Sequence, residues 1–231
     1  MDILHLSFIS AEKRYEEELT IIQTNILLHG TEKKVISLVP LTNEKGAFTL
    51  ASCLAESFAK GHRNVPLVDI SREGEQALGL SDAQCENGLY DILEGDLAAF
   101  SYIRETDVNG VYYLFAGSKI ENARELLGGV PFEAMISSIK EQYDYVFLLM
   151  PPANQSMESI IVSRVVDGNV MIVSSGISYN EIQLPVEMIK KGSPVIGSIL
   201  IKKKTTLWPP FVIGKKQKKT KITEPLGMDI Y

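Results

Sequence analysis

The apolar residues of this chain fall into six short, nearly continuous runs: VISLV at 35–39, VPLVD at 65–69, VYYLF at 111–115, YVFLL at 145–149, NVMIVS at 169–174 and VIGSILI at 195–201. Runs of this length with little polar alternation predict strands buried on both faces. Between them, apolar positions recur at helical spacing over 47–60, 131–142, 156–164 and 179–191. Ahead of the first strand, residues 11–29 set Leu19, Ile22, Ile26 and Leu27 at roughly helical spacing, which predicts an amphipathic helix. Strands alternating with helices predict an α/β fold with a doubly wound, mainly parallel sheet, and a binding crevice at the carboxyl ends of its strands. The pattern stops at Lys202. From there, two lysine clusters flank an apolar WPPFVIG patch whose Pro209 and Pro210 oppose helix. The expected organisation is a single domain over 1–201 and an irregular basic tail over 202–231, with no internal repeat.

Charge sharpens this division. The tail from Ile201 holds eight lysines against Glu224 and Asp229, a net +6; the whole chain carries −6, so residues 1–200 carry −12. The chain is 45% hydrophobic, enough for a sizeable core. Cys53 and Cys85 lie far apart with no C-x-x-C spacing and read as reduced thiols. His5, His29 and His62 are scattered, so no metal site is expected. The N-terminus lacks a basic segment followed by an apolar one, and no apolar run approaches the ~18–20 residues that span a bilayer. The expected setting is cytoplasmic.

The first strand is followed by a loop and helix, PLTNEKGAFTLASCLA, with the outline of a phosphate loop. Such loops work because glycines let backbone N–H groups converge on phosphate oxygens. A Lys neutralises charge, and a Ser or Thr holds Mg²⁺ at the start of the next helix. Here Glu44 and Lys45 precede Gly46, but Ala47 stands where the Lys belongs and Phe48 where the hydroxyl belongs. Thr49 comes one position late, turned about 100° around the helix. Lys45 could reach a phosphate, yet no hydroxyl follows it directly. Taken alone, the segment reads as an ordinary strand-to-helix turn.

Six collinear segments give it a context. EEELTIIQTNI (16–26), the 33–70 strand–loop–helix–strand stretch, GLYDILEGD (88–96), NARELLGG (122–129), QYDYVFLLMPP (142–152) and VVDGNVMIVSSGIS (165–178) resemble, in order, the motifs of the bacterial tyrosine kinases of capsule and exopolysaccharide assembly. That BY-kinase family is a branch of the MinD/ParA-like P-loop ATPases. The resemblance implies their fold, with Ala47 and Phe48 at the Lys and Mg²⁺-hydroxyl positions and Asp69 at the first carboxylate of the second Walker motif. It puts Ser71 at the missing second carboxylate, and Leu149 and Met150 at the Asp and Thr of Walker B. In the family's ring-forming helix it keeps Glu17 but sets Thr20 and Gln23 at the arginine positions. Ile201 falls at the adenine-reading Asn, and Tyr231 alone stands for the family's tyrosine-rich tail.

Phosphoryl transfer depends on Lys and Mg²⁺ around a polyanion, and five such losses in one site leave little to hold a triphosphate. The resemblance therefore implies a degenerate nucleotide site. Phe48, Leu149 and Met150 are expected to fill the old Mg²⁺ space as core, at about 1.5–3 kcal/mol per fully buried side chain. Asp69 is expected to cap the turn after its strand, Arg72 to be a surface charge, and Pro151-Pro152 to shape the next turn.

The functional expectation is a non-catalytic BY-kinase homologue: a scaffold or regulator of polysaccharide synthesis and export, peripheral at the inner membrane. It would dock on a membrane polysaccharide copolymerase or pair with an active paralogue, as a monomer or dimer in isolation, with no cofactor. Two alternatives stay open. One is an active ATPase or tyrosine autokinase binding Mg-ATP or ADP through Lys45, Thr49 and Asp69; the other is a MinD/ParA-like localisation protein. The lysine tail is either solvated, held against anionic lipid with Trp208 and Phe211 at the interface, or folded onto an acidic surface. Nucleic acid is not expected, because the body is acidic and lacks a recognition motif.

Overall fold

In the computed structural model of the chain, residue 4 and residues 15–43, 46–81, 84–85, 87–95, 101–117, 121–202 and 227–229 are described. Each of the six apolar runs forms a strand: β1 (Val35–Pro40), β2 (Val65–Asp69), β4 (Val111–Leu114), β5 (Val146–Leu149), β6 (Gly168–Ser174) and β7 (Val195–Lys202). They pair in parallel in the order β4-β2-β5-β1-β6-β7. Every residue of β1, β2 and β5 is buried, the outcome that runs without polar alternation require. Two short strands that periodicity did not reveal close the edges antiparallel. β3 (Arg104–Glu105) lies on β4, and β8 (Gly227–Asp229) pairs with Leu200–Lys202. Within the expected irregular tail, Lys202 ends β7 and Gly227–Asp229 form β8, and the remainder lies outside the described residues.

Helices cover both faces. On one, α1 (Glu16–Leu28) and α2 (Ala47–Ala59) pack Leu19, Ile22, Ile26, Leu54 and Phe58 against Ile36, Leu38, Leu67 and Phe147. Phe58 meets Tyr145 and Phe147 edge-on, at 4.8 and 5.0 Å between ring centres. On the other face, α6 (Val130–Gln142), α7 (Glu158–Val162) and α8 (Tyr179–Gly192) pack Phe132, Ile136, Val162 and Ile189 against Val35, Val39, Val68 and Leu148. Alternate residues of each strand therefore feed opposite cores, as the pleat dictates. Three short helices, α3 (Glu73–Ala77), α4 (Leu89–Gly95) and α5 (Ala123–Leu127), fill connections where five to seven residues are too few to display a helical period.

Buried and half-buried polar side chains fix the central strands. Asp167 accepts the Lys34 and Val35 amides at 3.0 and 2.9 Å, and its other oxygen lies 2.6 Å from Lys140 Nζ. Ser37 Oγ donates to Asn169 Oδ1 at 2.6 Å, linking β1 to β6 across the core. With β1 in the middle of the sheet, the carboxyl ends of β1, β2 and β5 lie side by side.

Candidate functional site

Three strand ends and one helix start build the site. Gly46 takes the left-handed conformation, φ 98°, which a side chain rarely adopts, and passes the chain directly into α2. Ala47 and Phe48 follow, with exposures of 0% and 2%. Thr49 is half-buried, and Glu44 and Lys45 lie outside the described residues. Asp69 ends β2 and is paired across the ladder with Leu149 of β5, which in turn pairs with Leu38 of β1. The two positions that would present neighbouring carboxylates thus stand side by side, one an Asp and the other a fully buried Leu.

Asp69 is also fully buried, and five donors converge on it. Its Oδ1 accepts the Ser71 amide at 2.9 Å, the Ser71 hydroxyl at 2.6 Å and the Arg72 amide at 3.0 Å. Its Oδ2 accepts the Gly74 amide and the Tyr113 hydroxyl, both at 2.7 Å. Asp69 therefore organises the turn into α3, and Ser71, at the other carboxylate position, serves it as a donor. Burial pushes the Asp69 pKa up, against the opposing pull of its bonds to Ser71, Tyr113 and Gly74. Tyr113 is held well above its ordinary value, first by burial and then by the charge of Asp69, so it remains a donor. The Tyr113 ring meets Phe48 edge-on at 5.8 Å. A Cβ at Gly74 would collide with the Tyr113 hydroxyl and come within 2.6 Å of Phe48 Cε2 and 2.8 Å of Asp69 Oδ2.

Arg72 is not the surface charge its position implied. Its Nε lies 2.9 Å from Glu75 Oε2, while Glu75 Oε1 accepts the Gly117 amide at 3.1 Å. Burial raises the Glu75 pKa, with Gly117 and Arg72 opposing. Met150 also departs from expectation. Phe48 and Leu149 share the core on the α1–α2 face, whereas Met150, one residue past Leu149, joins the core on the other face. Alternation along an extended chain makes that reversal unavoidable.

Residue-by-residue comparison of motifs passes over Tyr113, Gly74 and Glu75, because none occupies a motif position. A weak signal for Tyr113 existed: it is a hydroxyl inside a strand otherwise read as continuous core, and a buried Tyr needs a partner. On α1, Glu17 and Thr20 are exposed, and Thr20 Oγ1 donates to its own helix at Glu16 O, 2.7 Å away. Gln23 is engaged with α2 through the Ser57 carbonyl at 3.3 Å and hydroxyl at 3.4 Å.

Chemically, the described residues offer a divalent cation no open carboxylate here. Asp69 has its acceptor sites taken, and Ala47, Phe48 and Leu149 bring neither oxygen nor charge. The described residues of this site do not fit Mg²⁺ bound to a nucleotide in the manner of a P-loop. Among the described residues, no helix is long and apolar enough to cross a membrane.

No protein-family model matches the chain. Tyrosine-protein kinase CpsD of Streptococcus agalactiae is 28% identical over 193 residues, 82% of this chain and 84% of that protein. Among solved structures, the kinase domain of Escherichia coli tyrosine kinase ETK aligns with a TM-score of 0.74 at 20% identity, covering 87% of this chain and 80% of that one. The septum site-determining protein MinD of Pyrococcus horikoshii, complexed with Mg-ADP, aligns with a TM-score of 0.58 at 21% identity over 72% and 69% of the two chains.

Proposed function

We propose that this chain, which is similar to tyrosine-protein kinase CpsD over most of both chains and shares the fold of the ETK kinase domain and MinD, acts in the setting of the bacterial tyrosine kinases as a non-catalytic homologue, a scaffold or regulator of capsule or exopolysaccharide assembly. One observation carries this reading. Where the fold would assemble Lys, hydroxyl and two carboxylates around Mg²⁺ and a triphosphate, Ala47, Phe48 and Leu149 are buried and the remaining Asp69 is consumed by protein donors. Phosphoryl transfer is mainly charge stabilisation and positioning, so removing the cations removes the catalyst while leaving a folded surface that can bind. The partner this role calls for is a membrane polysaccharide copolymerase or an active paralogous kinase. The lysine-rich tail would meet anionic headgroups beside it.

The second reading, an active ATPase or tyrosine autokinase, draws on the likeness to CpsD over most of both chains. It would rest on Lys45, Thr49 and Asp69. Calorimetric titration with ATP and Mg²⁺, together with radiolabelled ATP turnover and phosphotyrosine blotting, separates the two. The scaffold reading expects no Mg²⁺-dependent binding and no turnover; tight Mg²⁺-dependent binding would overturn it in favour of the enzyme.

A further inference from the structure

We propose that the Tyr113 hydroxyl and the Gly74 amide form a lock on Asp69, one that bars a divalent cation from this carboxylate independently of the altered motif residues. The lock deepens the reading of a non-catalytic site and names the groups that close it.

A carboxylate offers about four lone-pair directions, and Asp69 already receives five donors. Mg²⁺ needs an oxygen at about 2.0–2.1 Å and usually keeps several waters, so it requires both a free lone pair and room. Oδ2 has neither. Tyr113 and Gly74 each hold it at 2.7 Å. The space beyond is so full that a single added carbon at Gly74 would strike Tyr113 and crowd Phe48 and Asp69 together. The Phe48 ring lies edge-on to Tyr113 at 5.8 Å, but what holds the phenol is its bond to Asp69.

Tyr113 comes from β4, which carries none of the resemblance's nucleotide-site positions, and Gly74 comes from α3. Reinstating the motif residues would therefore leave the lock shut. Three proteins test this by calorimetry with ATP, with Mg²⁺ or with EDTA: the unaltered chain, the triple variant Ala47→Lys/Phe48→Thr/Leu149→Asp, and that triple with Tyr113→Phe added. Circular dichroism checks that each folds. The lock predicts no Mg²⁺-dependent binding by the triple variant, and at least about tenfold tighter binding in Mg²⁺ than in EDTA once Tyr113→Phe is added. Equal binding by the two variants, or a folded quadruple variant that binds nothing, overturns it.

A measurement on the unaltered chain avoids the risk that Leu149→Asp unfolds the core. Titration with Mn²⁺ followed by electron paramagnetic resonance should reveal no bound ion that Asp69→Asn removes; a stoichiometric ion lost in that variant overturns the lock. The two ideas fail separately. Mg-ATP binding by the unaltered chain that Asp69→Asn leaves intact would end the non-catalytic reading and spare the lock. Binding by the triple variant without Tyr113→Phe would end the lock and spare the reading.

Discussion

At the scale of single residues, Asp69 shows how one side chain changes role without changing identity. At the carboxyl end of a parallel strand, a carboxylate open to the crevice is a metal ligand in waiting. Here the Ser71, Arg72 and Gly74 amides turn it into the anchor of a tight turn. Its burial has a consequence that titration can detect. Burial lifts Asp69 and Glu75 above their ordinary values of 3.8 and 4.5, so the folded chain keeps these protons to higher pH than the unfolded chain does. The stability they contribute is therefore complete below those ordinary values and is lost as pH rises through the folded ones. Comparison of urea midpoints with Glu75→Gln isolates this from the other carboxylates: as pH rises above the ordinary value of 4.5, the unaltered chain should lose ground to the variant. A difference that moves the other way would show that Arg72 and Gly117 outweigh burial at Glu75.

At the scale of elements, the strands declare themselves and the short pieces do not. β1, β2 and β5 are readable because burial on both faces leaves no polar residue to interrupt them, whereas β3, with two residues, carries no pattern at all. The start of β1 depends on a group distant in sequence. Asp167, from the turn before β6, receives the first two amides of the segment and faces Lys140 of α6. Asp167→Ala would leave both amides without that acceptor, and should destabilise the chain by about 1–3 kcal/mol in chemical denaturation. A midpoint unchanged within error would mean that water replaces the carboxylate at no cost.

For the whole molecule, the question is what the surface of α1 is free to do. Thr20 is turned back on its own helix and Gln23 is engaged with α2, and neither uncharged side chain offers a neighbour a cation at the positions where the resemblance expects arginines. The expected state in isolation is monomer or dimer, and multi-angle light scattering checks it; an eight-membered particle would show that other α1 contacts suffice for the ring.

The fold class and the order of buried strands and helices were legible in the sequence, because strand burial is a local property written in consecutive residues. Where the side chains go was not. That Met150 turns away from Phe48 and Leu149, that Arg72 pairs with Glu75 rather than facing solvent, and that Tyr113 reaches Asp69 from forty-four residues away are facts of tertiary packing. They depend on which strands become neighbours and on the face each residue presents, and neither is encoded at any single position along the chain.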